Sequence, residues 1–296
     1  MHRIAVIPRL SADAQWLSLH VGVEEEAERR QLQPYWRGPS GSQTVQEQVE
    51  LVREALDSRA DGILVMPGSY LGENRVMNQA LAKGIPVVVL SEKIALPANP
   101  HLYYVLEDSH VTGELIAERL RATVGKGDIL LLGLEPDVPG SLDRSNAVES
   151  SLRAVAPNIH VMAKLLRAPR GGSQDDTVRK MIVENPRLKA IVALDAGEGM
   201  TAAAAVSAAG AKGHVRVIVC DQSIDLLLLL HSGVVDSIVV QQNRRMGAKA
   251  IDDIADDRAG RHPVQEVTFD PVLVTAENID SEPVQRMLLM HRSPPW

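Results

Sequence analysis

Arg144, Asp195 and Asp221 each follow a short apolar run that reads as a β-strand. Carboxylates accept hydrogen bonds and a guanidinium donates them through a fixed planar fork, so the three together can grip a polar ligand. Their placement matters because ligands of open parallel sheets sit beyond the carboxyl ends of the strands. The same two acids could instead form a glycosidase pair, a chemistry that needs carboxyl groups about 5 to 10 Å apart. Plainer roles compete with both. Asp195 and Asp221 can each be the N-terminal cap of a helix, and Arg144 can be a solvated charge on one.

The elements that must position these residues repeat one paragraph twice. Strand-like runs Ile4 to Pro8, Gly62 to Met66 and Pro86 to Leu90 are answered by Asp128 to Leu134, Ala190 to Leu194 and Val215 to Cys220. Amphipathic stretches separate them, as in Ala14 to Gln31, where Trp16, Leu19, Val23 and Ala27 recur at helical spacing opposite Glu24, Glu25, Glu28 and Arg29. Alternating β-branched runs and helices predict parallel strands with helices on both faces. Further strands are expected at Leu32 to Arg37, Leu102 to Leu106, Ile159 to Leu165 and Val235 to Val240, with a short pair at Val267 to Phe269 and Val272 to Thr275 before a tail. Helix Arg245 to Asp256 comes late, yet the first half lacks a fifth helix, so the chain is expected to return to complete it.

Composition excludes several classes. The 296 residues suit two lobes of about 100 to 150 residues better than one core. A net charge of -7 without any basic block gives no footprint for nucleic acid. The longest apolar run, Leu226 to Leu230, falls far below the roughly 18 residues of a membrane span. Cys220, the one cysteine, reads as a buried, inert thiol in an apolar strand. The nine histidines are scattered, no glycine-rich phosphate loop follows a strand, and neither a metal cluster nor a cofactor motif is evident, which argues against an enzyme.

Taken in order, the segments "RIAVIPRLSADAQWLSLHVGVEEEA" (Arg3 to Ala27), "ADGILVMPG" (Ala60 to Gly68), "GIPVVVLSE" (Gly84 to Glu92), "EDSHVTGELIAERL" (Glu107 to Leu120), "LDRSNAV" (Leu142 to Val148), "LKAIVALDAGEGMTAAAAV" (Leu188 to Val206), "VIVCD" (Val217 to Asp221) and "VVQQNRRMGAKA" (Val239 to Ala250) carry a resemblance. The chain resembles the type I periplasmic binding protein superfamily over nearly its whole length. It looks most like the ribose-binding-like sugar-binding proteins, and also like the ligand-binding domains of lactose-repressor-type regulators. The resemblance implies an α/β fold of two Rossmann-like lobes, residues 1–108 plus 242–269 and residues 109–241 plus 270–296, with hinge crossings near Asp108, Gln241 and Phe269 and the ligand in the cleft between them. It implies a monomeric solute-binding protein that closes on a sugar, polyol or amino sugar and presents it to an ABC-type permease or a sensor. Such a protein would be periplasmic or extracytoplasmic, its leader removed. The alternative is the effector domain of a regulator in the cytoplasm, although no helix-turn-helix precedes Arg3.

The resemblance also assigns residues. Asp13, Gln15 and Trp16 fall in the loop after the first strand, where Trp16 would stack on a sugar ring and Gln15 takes the place of a second aromatic. Trp16 could equally belong to the core face of its helix. Hydroxyl recognition falls on Arg144, Asp195, Asp221 and Gln241, with Gln242 or Asn243 as substitutes for the last. After strand Pro86 to Leu90, where relatives commonly carry an Asp-Arg pair, this chain has Ser91 and Glu92. That exchange predicts an acidic pocket, with Arg144 as its main fixed positive charge, and keeps cationic ligands in play.

Overall fold

The computed structural model describes residues 2–9, 17–40, 44–168 and 174–288. In chain order the elements are β1 (His2–Ile7), α1 (Leu17–Arg30), β2 (Leu32–Trp36), α2 (Thr44–Asp57), β3 (Gly62–Val65), α3 (Asn74–Ala82), β4 (Val87–Ser91), β5 (Leu102–Glu107), α4 (Ser109–Thr123), β6 (Gly127–Leu134) and α5 (Pro139–Val155). They continue with β7 (Ile159–Leu166), α6 (Asp175–Glu184), β8 (Leu188–Ala193), α7 (Ala196–Ala208), β9 (Arg216–Cys220), α8 (Ile224–His231), β10 (Ser237–Val240), α9 (Asn243–Arg258), β11 (Glu266–Phe269), β12 (Val272–Thr275) and α10 (Glu282–Leu288). The chain divides into two compact units, residues 1–107, 137–140 and 242–269 in the first and 108–136, 141–241 and 270–296 in the second.

The first unit is built on a sheet ordered β11-β5-β4-β3-β1-β2, all pairs parallel. Successive side chains of a strand point to opposite faces, and here both faces are apolar. Ile4, Val6, Leu64, Val88 and Leu90 pack with Leu19 and Val23 of α1 and Met246, Ile251 and Ile254 of α9. Ala5, Ile7, Ile63, Val65 and Val89 pack on the other face with Val52 of α2 and Met77 of α3. Each such aliphatic side chain stabilises the fold by about 1.5 to 3 kcal/mol when fully buried. Pro34, which cannot donate to a ladder, is accommodated because β2 is an edge strand. Helices α1 and α9 approach closely through glycines: a Cβ at Gly22 would collide with the Arg244 carbonyl, and one at Gly247 with that of Leu19. Glu25, expected on a solvated face, accepts Arg244 Nε at 2.9 Å and ties the two helices together.

The second unit repeats the plan with order β12-β10-β9-β8-β6-β7, parallel except for the antiparallel β10–β12 pair. Leu130, Leu132, Ile191, Val217 and Ile238 face α6, α7, α8 and α10. Ile129, Leu131, Val192, Ile218 and the buried Cys220 face α4 and α5. Two sequence expectations change. The strand predicted from Val235 begins at Ser237, because the chain is still turning out of α8: Gly233 has a positive φ of 73° and the Val235 N–H donates to Leu229 O. The expected tail contains α10, whose Val284 and Leu288 are buried in the second unit's core.

Candidate functional site

Strands at matching places in the two sheets end in the same backbone device. Ser91 closes β4 with φ 70°, and Asp221 follows β9 with φ 68°. Left-handed geometry at a non-glycine residue costs on the order of 1 to 3 kcal/mol, and such strain collects where side chains must be aimed for function.

In the second unit, Arg144 on α5 is only 7% exposed, and its Nη1 lies 3.9 Å from Asp221 Oδ2. The Asp221 N–H donates to Val239 O at 3.0 Å, which locks the turn against β10. Asp221 does not cap α8; the Ser223 hydroxyl does, accepting from the Leu226 N–H. Asp195 does cap α7, its Oδ1 accepting from the Glu198 N–H at 3.0 Å, so the plainer role is real there. Its Oδ2 nevertheless lies 3.9 Å from Arg167 Nε, and Arg167 Nη1 donates to Glu135 Oε1 at 2.9 Å. Glu198, buried and accepting from the Ala168 N–H, has its pKa pushed up by burial and by Asp195 nearby. Gln241 directly follows β10 and is 2% exposed, yet neither its Oε1 nor its Nε2 has a hydrogen-bond partner. An unsatisfied buried amide costs about 1 to 3 kcal/mol.

The first unit answers with a different set. Glu92, 5% exposed, accepts from Arg9 Nη2 at 2.5 Å, while its Oε2 is buried without a partner. Arg9, just past β1, also donates through Nε to Pro67 O at 3.3 Å. Beneath them Gln48 is fully buried, donating to Pro8 O and Met66 O and accepting from the Gly68 N–H. Glu73 accepts from the same Gly68 N–H at 3.0 Å; burial raises its pKa, and the charge of Glu92 adds to the rise.

Arg144 is not the sole cation at these strand ends: Arg9 pairs with Glu92 in the first unit, and Arg167 stands beside Glu135 and Asp195 in the second. Arg9, Glu135, Arg167 and Glu198 escaped the sequence reading. Only Glu198 carried a signal, since an acid three residues after a capping Asp is the spacing of a capping box. Asp13, Gln15 and Trp16 lie outside the described residues. Among the described residues no group of three or more His, Cys, Asp and Glu could hold a metal, and no helix is long and apolar enough to cross a membrane.

Residues 4–260 match the family model described as periplasmic binding protein domain. The D-allose-binding periplasmic protein of Escherichia coli (strain K12) is 23% identical over 256 residues, covering 83% of this chain and 81% of that protein. Among solved structures, an ABC transporter solute-binding protein from Agrobacterium vitis, bound with alpha-D-tagatopyranose, superimposes with a TM-score of 0.88 at 21% identity, covering 97% of this chain and 99% of the other. A carbohydrate transporter solute-binding protein from Agrobacterium radiobacter, in complex with D-arabinose, gives 0.88 at 18% identity, covering 97% and 98%. At such identities the structural likeness establishes the fold, and it matches the two α/β units found here.

Proposed function

The chain belongs to the periplasmic binding protein family, and from that premise we propose that it captures a sugar or sugar-like solute by closing its two units, without turning it over. The ligand would then be handed to an ABC-type permease or read by a sensor outside the cytoplasm. The observation that carries this reading is the side chain of Gln241. A primary amide both donates and accepts, as a hydroxyl does, and this one is buried with both functions unmet at the end of β10, the strand paired with the one that leads to Asp221. A vicinal diol offers donors to Asp221 and Asp195, and acceptors to Arg144 and to the amide. Ser91 and Glu92 would contribute from the first unit, and Asp13, Gln15 and Trp16 from the loop after β1. The sugars of the relatives, D-allose, tagatose and D-arabinose, set the range to screen.

Binding is tested by calorimetry and thermal unfolding against aldopentoses, hexoses, ketohexoses, polyols and amino sugars. A ligand specific to the folded state at one hundred times its dissociation constant stabilises by about 2.7 kcal/mol. A selective shift with the sugar recovered unchanged supports the proposal. A flat response across the panel, or consumption of the sugar, would sink it.

A further inference from the structure

Glu92 is a buried carboxylate, and such a group is tolerated only when a cation or several donors attend it. Its sequence neighbour Lys93 does not serve, because Lys93 Nζ donates to Glu266 Oε2 at 2.5 Å and lies over the Tyr104 ring. The cation comes instead from the other side of the sheet end, where Arg9 donates to Oε1 of Glu92 and is held by Pro67 O. The guanidinium cannot lose its proton, so it offsets the charge of the Glu92 carboxylate. Oε2 of Glu92 is left buried and without a hydrogen bond, an acceptor that a ligand donor can satisfy. The second buried acid of this region, Glu73, accepts from the Gly68 N–H through Oε1, and its Oε2 is likewise buried without a partner.

We infer that Arg9 sets the charge selectivity of the first unit's sheet end: by neutralising Glu92 it makes that end choose an uncharged hydroxyl over an ammonium group. A hydroxyl donates to Oε2 of a carboxylate whose charge Arg9 offsets. An ammonium donates equally well but meets the guanidinium as a like charge, and selectivity of this kind is built by placing an opposing charge against the wrong ligand. The inference rests on the sugar-binding proposal above and sharpens it from sugars and amino sugars to neutral sugars.

The test uses D-allose, D-tagatose and D-arabinose, each beside its amino-deoxy analogues, at mildly acidic pH where the amine is protonated. Calorimetry compares the wild type with Arg9→Gln, Arg9→Lys and the double variant Arg9→Gln/Glu92→Gln. The wild type should prefer the neutral member by about tenfold or more, and Arg9→Gln should shift that ratio about tenfold toward the amine by leaving Glu92 uncompensated. Arg9→Lys should keep the neutral preference. The double variant, which removes both charges of the pair, should fold if Arg9→Gln does not, and should bind the two members alike. If the wild type binds a neutral sugar but favours its amino analogue, or if the ratio is the same without Arg9, the inference alone falls. Should the wild type bind neither class, the sugar-binding proposal falls and takes the inference with it.

Discussion

Gln241 is costly to the unliganded protein. Both of its amide functions are buried and unsatisfied, so Gln241→Leu, which keeps the volume and removes the polar atoms, should raise the stability of the unliganded protein by about 1 kcal/mol or more. The same change should weaken sugar binding by about tenfold to a hundredfold, since a hydrogen-bonded ligand group is left unpaired. Thermal unfolding with and without sugar reads both effects; a destabilised variant with unchanged affinity would make Gln241 structural. At this scale the sequence displayed residue types and their place after strands. It could not show that Asp195 is engaged as a cap while Asp221 is not, because both precede a helix and only the backbone turn separates them. Nor could it show Arg9 reaching Glu92, since 83 residues separate them and the parallel sheet joins their strands only through β3.

Among elements, the α1–α9 contact depends on the absence of side chains. Alanine normally favours a helix over glycine by about 1 kcal/mol, yet at position 22 the methyl group would meet the Arg244 carbonyl. Gly22→Ala should therefore destabilise by about 1 to 3 kcal/mol, as overpacked cores do, and lower the urea midpoint. A rise in the midpoint would show that the helices can move apart at no cost. Helical periodicity exposed the apolar face of α1, with Leu19, Val23 and Ala27 all buried, but it gave Glu25 to solvent because its partner Arg244 lies on a helix distant in sequence. The short helix α10 escaped for a related reason: its signal is two buried residues, Val284 and Leu288, too few to stand out from a tail.

For the molecule as a whole, connectivity decides how the chain can be cut. Everything after Gln241 serves both units: α9 and β11 belong to the first, β12 and α10 to the second. A chain ending at Gln241 would lose Met246, Ile251 and Ile254 from one core and Val274, Ile279 and Leu288 from the other. It should fail to fold in either unit, with near-ultraviolet circular dichroism flat where the full chain gives a native spectrum; a cooperative melt from the truncated chain would refute this. The sequence by itself determined the α/β class and the repetition of its paragraph, because periods of two and of 3.6 residues are local properties that burial on both sheet faces makes visible. It also determined which polar residues follow the strands. Tertiary structure alone decided which of them are paired, capped or left unsatisfied. Those outcomes depend on partners brought together by parallel crossovers and on two left-handed turns, at Ser91 and Asp221, that no spacing in the sequence announces.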